Sequence, residues 1–444
     1  MNNMKDSGIR WIGNIPQEWT LKRIKYSLKC KITDGPHETP EFIDEGIPFL
    51  SVDSIQNNQL IIDNVRYISE ADALRFDKKC KPQKGDILMG KAASIGKIAI
   101  VENDKYFQIW SPLALIRCNN KKLLNRFLKY YLESSCGQEF IESLSTKNTQ
   151  KNIAMEDIEK IKIVIPNIEE QKLIANFLDN KVGKTDVILN DLNKQINILK
   201  DYKKSLITET VIKGVNYNLE KKKSGIEWIG MIPIHWKISK LKYVSNFVNG
   251  DRGSNYPSGN DMVDDGVIFV TSNNIHETIL NNSPENCKFI TEERYKKLGG
   301  AKIDINDIIF CLRGSVGMCA INKTESKGTV ASSLVDIKPK RINPDFLNYF
   351  LQSELSKYQT NLYTNGSCAA NLSAENVANY YFIEPPMQEQ HEIAKYLDSK
   401  CTKIDELIKD KQIQIKKMEK YKKSLIYEYV TGKKRVKGAE ELYG

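Results

Sequence analysis

The chain holds no stretch approaching ~20 consecutive apolar residues, so nothing in it reads as crossing a bilayer. Its opening, MNNMKDSGIRWIG, lacks the apolar core of a secretory signal. Nine cysteines are scattered without a CxxC pair, which excludes a zinc ribbon or disulfide framework and points to reduced thiols in a cytoplasmic chain. The four histidines, His37, His235, His276 and His391, lack metal-ligand spacing, and no metal site is expected.

What the chain does have is a long stretch free of proline, Glu170 to Lys213. Apolar residues recur along it at spacings of three and four: Leu178, Val182, Leu189, Leu192, Ile196, Leu199 and Leu206, with Thr185 and Lys203 as polar slots. This pattern predicts a long helix with one apolar seam. The stretch returns at Glu389 to Gly432, where 20 of 44 positions are identical and the seam falls on Leu397, Cys401, Ile404, Ile408, Ile415, Met418 and Leu425. A helix with one apolar seam requires a partner, and the two copies can serve each other.

The duplication extends over the whole chain. SGIRWIGNIPQEW (Ser7 to Trp19) returns as SGIEWIGMIPIHW (Ser224 to Trp236). KGDILMGKAASIGK (Lys84 to Lys97) returns as INDIIFCLRGSVGM (Ile305 to Met318), and NRFLKYYLES (Asn125 to Ser134) as PDFLNYFLQS (Pro344 to Ser353). A repeat this long means a duplicated domain, not a solenoid. Strands are predicted at 47–52, 86–89, 97–101, 113–117 and 162–165, and in the second copy at 267–271, 308–311, 334–337 and 380–383. Helices are predicted at 125–134, 154–160 and 344–353. The expected fold is α+β: mixed globular heads at 1–166 and 224–386, long helices at 167–213 and 387–432, a polar linker at 214–223, and a tail at 433–444 that should fray as a solvated end.

Catalytic patterns fail where they come near. GKAASIGK, Gly90 to Lys97, separates its glycines by five residues rather than four and has Ile98 where a phosphate loop needs Ser or Thr. EPPM, Glu384 to Met387, lacks the aromatic of an adenine-methyltransferase loop, and no glycine-rich cofactor loop precedes it. The nuclease-like E-x-K at Glu170 becomes E-x-H at Glu389, and both open a helix. The composition, 41% apolar with a net charge of +10, suits folded domains with a modest basic bias compatible with nucleic acid. Polar, glycine-marked loops recur at matching places in both copies with unlike residues inside them. Their Lys, Arg, Asn, Gln, Ser, Thr and Tyr side chains are the types that bond phosphates and base edges. The candidate DNA contacts are His37, Lys91, Ser94, Lys147, Thr149 and Gln150 in the first copy. In the second they are Arg252, Asn255, Tyr256, Asn273, Arg313, Ser315 and Asn365.

The duplicated SGIxWIGxIPxxW, the aspartate-led strand at Asp86, and the sequence from Pro166 through EEQ to LD, with PPMQEQHEIAKYLD in the second copy, together resemble the specificity subunit of type I restriction-modification enzymes. The resemblance covers essentially the whole chain, twice. It implies two target-recognition domains joined by paired antiparallel helices, each reading one half of a split DNA sequence. It also implies two methyltransferase subunits and two restriction-translocase subunits as partners. Those partners would hold S-adenosylmethionine, ATP and magnesium, and this chain no cofactor. About 40 helical residues rise ~60 Å, so the helices would set the distance between half-sites. Two other readings compete: a self-contained methyltransferase or nuclease, which would bind cofactor alone, and a coiled-coil scaffold, which would show no salt-sensitive DNA affinity.

Overall fold

A computed structural model describes residues 4–146, 151–216, 218–275, 278–364 and 371–438, without the side chain of Asn255. The chain divides into two compact units, residues 1–192 with 413–444, and residues 193–412. Each contains one globular head and a stretch of each long helix, α1 (Ile168–Lys213) and α2 (Met387–Val430).

In the first unit the Ile- and Leu-rich runs form an antiparallel sheet with a short polar edge strand, ordered Ile98–Ile100, Ile87–Gly90, Leu113–Ile116, Thr33–Asp34. Both faces of the central strands are covered, which is why they read as continuous apolar runs rather than alternating ones. A second sheet pairs Ile47–Leu50 in parallel with Gln108–Ile109 and antiparallel with Arg66–Ile68. The second unit repeats the first sheet as Cys319–Ile321, Ile308–Cys311, Leu334–Pro339 and Ser245–Asn249. Its other sheet is larger, with five strands. The predicted strands fall where expected, and the helices Asn125–Glu133 and Pro344–Gln352 lie within a residue of prediction.

Each head is fastened to its long helix by the same contacts. In the first unit the buried Trp19 donates its indole N–H to Glu170 Oε2 at 3.0 Å, and Tyr130 donates its hydroxyl to Asp179 at 2.7 Å. Gln171 accepts from the backbone N–H of Leu124 at 2.8 Å and donates to Pro166 O at 3.0 Å. The second unit repeats all of these. Trp236 donates to Glu389 at 3.0 Å, Tyr349 to Asp398 at 2.6 Å, and Gln390 accepts from Asn343 N at 2.8 Å and donates to Pro385 O at 2.8 Å. The nuclease-like glutamate is thus a structural acceptor for a tryptophan, and the Glu-Gln pair at each helix start is a clamp.

The seam residues Leu178, Val182, Leu192, Ile196, Leu206, Leu397, Ile404, Ile408 and Leu425 are buried; Leu189, Leu199, Ile415 and Met418 are partly so. Of the polar slots, Thr185 bonds back to Lys181 O at 2.9 Å in its own helix, whereas Lys203 reaches across to Asp405 at 2.6 Å. Lys422 to Asp186 in the first unit and Lys411 to Gln195 in the second, each at 2.5 Å, also cross between the helices. In the second unit the numbers on α2 fall as those on α1 rise, so the helices run antiparallel there.

Two expectations are corrected. The tail does not fray at its start: Arg435 is buried, with Nε 2.7 Å from Glu170 Oε1 and a guanidinium nitrogen 3.2 Å from Glu18. Tyr427 hydroxyl donates to Trp11 O at 3.2 Å, and Gly432 packs on Pro16 and Trp19. A buried carboxylate holds the tail because leaving it unpaired is expensive. The polar linker also contains structure: Lys221–Lys223 pairs antiparallel with Met231–Pro233, as Met4–Asp6 pairs with Asn14–Pro16. Among the described residues no helix is long and apolar enough to cross a membrane.

Candidate nucleic-acid interface

Three loops meet at one end of the antiparallel sheet in each head, and a glycine lets them do so. A Cβ on Gly35 would lie 1.9 Å from Ile109 O, and one on Gly250 2.3 Å from Val330 O. No side chain fits there, so the loop after the edge strand lies against the loop before the central strand. In the first head Ser111 N donates to Pro36 O at 3.2 Å, Lys91 N to Pro112 O at 2.8 Å, and Ile153 N to Lys91 O at 2.9 Å. In the second, Leu312 N donates to Ser333 O at 2.8 Å and Leu372 N to Leu312 O at 3.0 Å. Isolated bridges pair Ala92 with Asn152 and Arg313 with Asn371 at equivalent positions.

Side chains on this shared frame differ. In the first head Asp34 is fully buried at the end of its strand, with Lys79 Nζ 2.6 Å from one oxygen and Lys91 Nζ 3.1 Å and His37 Nε2 3.2 Å from the other. Burial pushes the Asp34 carboxyl up, but Lys79 and Lys91 more than offset this and hold it below the ordinary carboxylate range. His37 is exposed, Lys79 half-exposed and also bonded to Gly35 O at 2.6 Å. Lys91, a candidate contact, is buried with its ammonium turned onto Asp34. Ser94 is half-buried in the turn that follows, its N–H bonded to Ala92 O at 2.8 Å.

In the second head the strand end carries Asn249, and Leu312 replaces Lys91. Arg252, at the position of His37, is exposed. Asp251 accepts from the backbone N–H groups of Gly299 and Gly300 at 3.2 and 2.7 Å. Arg313 is exposed, with Nε donating to Asn371 Oδ1 at 3.0 Å, and Ser315 is exposed beside it. Arg252, Arg313 and Ser315 therefore share one sheet end. Asn273 is exposed on a short turn of the other sheet, and Tyr256 packs edge-on against Phe269 with centroids 5.7 Å apart. Lys147, Thr149, Gln150 and Asn365 lie outside the described residues, as does the side chain of Asn255.

Sequence reasoning missed Asp34, Lys79, Asn152 and Asn371. The asparagines carry a readable signal, since they coincide when the two copies are aligned. Asp34 and Lys79 carry none, because their partnership joins distant parts of the chain. The rim offers ammonium, guanidinium, imidazole, amide and hydroxyl groups, a set suited to phosphate oxygens and base edges. No group of three or more His, Cys, Asp or Glu among the described residues is placed to hold a metal.

Comparison with known proteins defines the class. The model of the type I restriction modification DNA specificity domain matches residues 27–198 and 233–417, one match per copy. A putative type I restriction enzyme MjaX specificity subunit from Methanocaldococcus jannaschii is 27% identical over 435 residues, covering 96% of each chain. The MjaVIII specificity subunit of the same organism is 25% identical, covering 95% of this chain and 94% of its own. A solved chain described under the structural basis of complex assembly and conformational transition of the type I R-M system has the same fold. Its TM-score is 0.69 at 12% identity, over 94% of this chain and 99% of its own. The duplicated heads on paired helices are therefore those of a DNA sequence-recognition protein, not of an enzyme. The chain belongs to the type I restriction-modification DNA specificity family.

Proposed function

We propose that the two heads read the two halves of a split, asymmetric DNA target and thereby direct adenine methylation or restriction by partner subunits. One observation carries this reading. The contacts that fasten each head to its helix are duplicated residue for residue, whereas the side chains on the loop rim are not. A shared frame with unlike rims suits two readers of unlike sequences.

In this reading residues 1–166 and 224–386 are the recognition domains. The long helices at 167–213 and 387–432 space them, so that half-sites presenting the same groove face lie about one helical turn apart. Phosphate contacts position the heads and the rim side chains specify bases: His37, Ser94, Lys147, Thr149 and Gln150 in one half, where the buried Lys91 braces the loops from beneath through Asp34, and Arg252, Asn255, Tyr256, Asn273, Arg313, Ser315 and Asn365 in the other. Two methyltransferase subunits and two restriction-translocase subunits complete the cytoplasmic complex and carry S-adenosylmethionine, ATP and magnesium. Exposed apolar side chains on the helices support two like partners. Ile188 and Tyr421 in the first unit match Leu407 and Tyr202 in the second, all between 45 and 55% exposed.

The test is a methylation map. The chain is expressed with its neighbouring methyltransferase subunit in a host lacking adenine methylation, and modified bases are read genome-wide. A split asymmetric motif bearing N6-methyladenine, lost when either protein is omitted, is expected. An intact complex that leaves no motif contradicts the reading. Inserting whole helical turns within Gln195–Lys203 should widen the gap and leave both half-sites unchanged; altered half-site bases would end the spacer account.

A further inference from the structure

The first head contains an ion cluster around a buried carboxylate that the second head lacks. Asp34 takes one nitrogen partner from each of three segments: Lys79 after a helix, Lys91 after a central strand, and His37 from its own loop. The second head builds the same loop junction with Asn249, Gly300, Leu312 and Arg252 at those places. Four positions on three segments thus differ together, while the two backbone bonds made by Lys91 recur at Leu312. Burying a carboxylate and an ammonium carries a desolvation penalty of several kcal/mol per ion before their attraction is counted. The sister head builds the same junction without these charges, so the shared frame alone does not call for them.

Its location indicates what that is. The cluster sits where the three loops meet, so it faces the rim rather than the helix joint. Its charges do not cancel: one carboxylate faces two ammonium groups and an imidazole. Lys91 is the buried member and ties two loops together, while Lys79 and His37 are the members that solvent reaches. We infer that Asp34 is a positioning residue for DNA reading by the first head, fixing Lys79 and His37 so that the Lys79 ammonium meets an acceptor on the first half-site. That acceptor is either the O6/N7 edge of guanine or a phosphate oxygen, which offer an ammonium the same chemistry. This rests on the proposed function and names residues and roles within it.

The test uses the full chain in complex with its methyltransferase subunit. Removing Asp34 alone strands Lys91 in the interior, so the main variant is the double substitution Asp34→Asn with Lys91→Leu, which installs the pair the second head already folds with. Lys79→Met is made separately. If guanine is read, methylation mapping of either variant shows discrimination at one position of one half-site falling by roughly 10-fold or more, with the other half-site unchanged. If phosphate is held, the motif is unchanged, binding weakens on every sequence, and the slope of log affinity against log salt falls by about one. Unchanged motif, affinity and salt slope in both variants would make the cluster mere scaffold and overturn the inference. So would equal relaxation of both half-sites. Failure of the underlying reading is separate, since the unsubstituted complex would then yield no motif.

Discussion

The two heads divide their residues into those that match and those that do not, and the division follows position. Matching contacts lie at the joint with the long helix: Trp19 and Trp236 on Glu170 and Glu389, Tyr130 and Tyr349 on Asp179 and Asp398. Below the sheet, Arg117 grips Asp86 with two bonds of 2.7 Å, and Lys338 takes the same role on Asp307 at 2.5 Å. Mismatched residues lie at the loop rim, where the first head has Asp34, Lys79 and Lys91 and the second has Asn249, Gly300 and Leu312 at the equivalent positions. A joint that holds each head to the same kind of helix start keeps the same contacts. A rim that must read two sequences has to differ.

The largest expected effect comes from the joint. Trp19→Ala and Trp236→Ala each remove a fully buried indole, and each should cost about 3–5 kcal/mol, read as a fall in Tm and early proteolysis of its own head. A loss confined to one of them would break the equivalence. Next comes the acceptor beneath each indole, where the heads differ. Glu170 is fully buried and also holds Arg435, whereas Glu389 is partly exposed and faces His235 at 2.6 Å. Glu170→Gln removes the buried charge that Arg435 Nε faces, leaving the guanidinium to Glu18, and should cost more stability than Glu389→Gln, whose loss should stay near ~1 kcal/mol. Equal losses in denaturant melts would mean that the tail contact contributes nothing.

A smaller effect separates the heads by pH. The second head buries Asp336 where the first has Leu115. Burial first, and then the Asp307 charge, push its carboxyl up to about 8, against the pull of Lys338 at 3.4 Å. A folded-state value above the unfolded one means that the fold favours the protonated acid. Stability should therefore fall as pH rises from about 4 through about 8. Asp336→Asn should flatten that slope, raising Tm by a few degrees at pH 9 and leaving it little changed at pH 4. A wild-type Tm that climbs over this range through the second head's transition would refute the assignment. The smallest effect on stability belongs to the rim: Arg313→Ala should leave Tm unchanged and cost about 1–3 kcal/mol of discrimination at the second half-site alone. Equal loss at both halves would demote Arg313 to a general phosphate contact.

Much of this was legible in the sequence because it is periodic or repeated. The seams of α1 and α2 follow from heptad spacing, and the apolar strands from their length and flanking turns. The loops that carry Arg252, Arg313 and Ser315 stand out as polar, glycine-marked stretches at matching places in both copies. What escaped depends on distant partners. Composition marks the tail as a frayed basic end, but Arg435 is captured by Glu170, at the start of the first long helix. Lys91 looks like a surface lysine until Asp34 is brought beside it. Lys221–Lys223 reads as linker because a two-strand pairing of three residues leaves almost no apolar trace.

The central claim is that each head reads its own half-site through its own rim. The most direct measurement replaces residues 224–386 with a second copy of 1–166 and maps methylation by the resulting complex. Two identical half-sites in inverted orientation, at the original gap, are predicted. Survival of the original asymmetric motif would contradict the account.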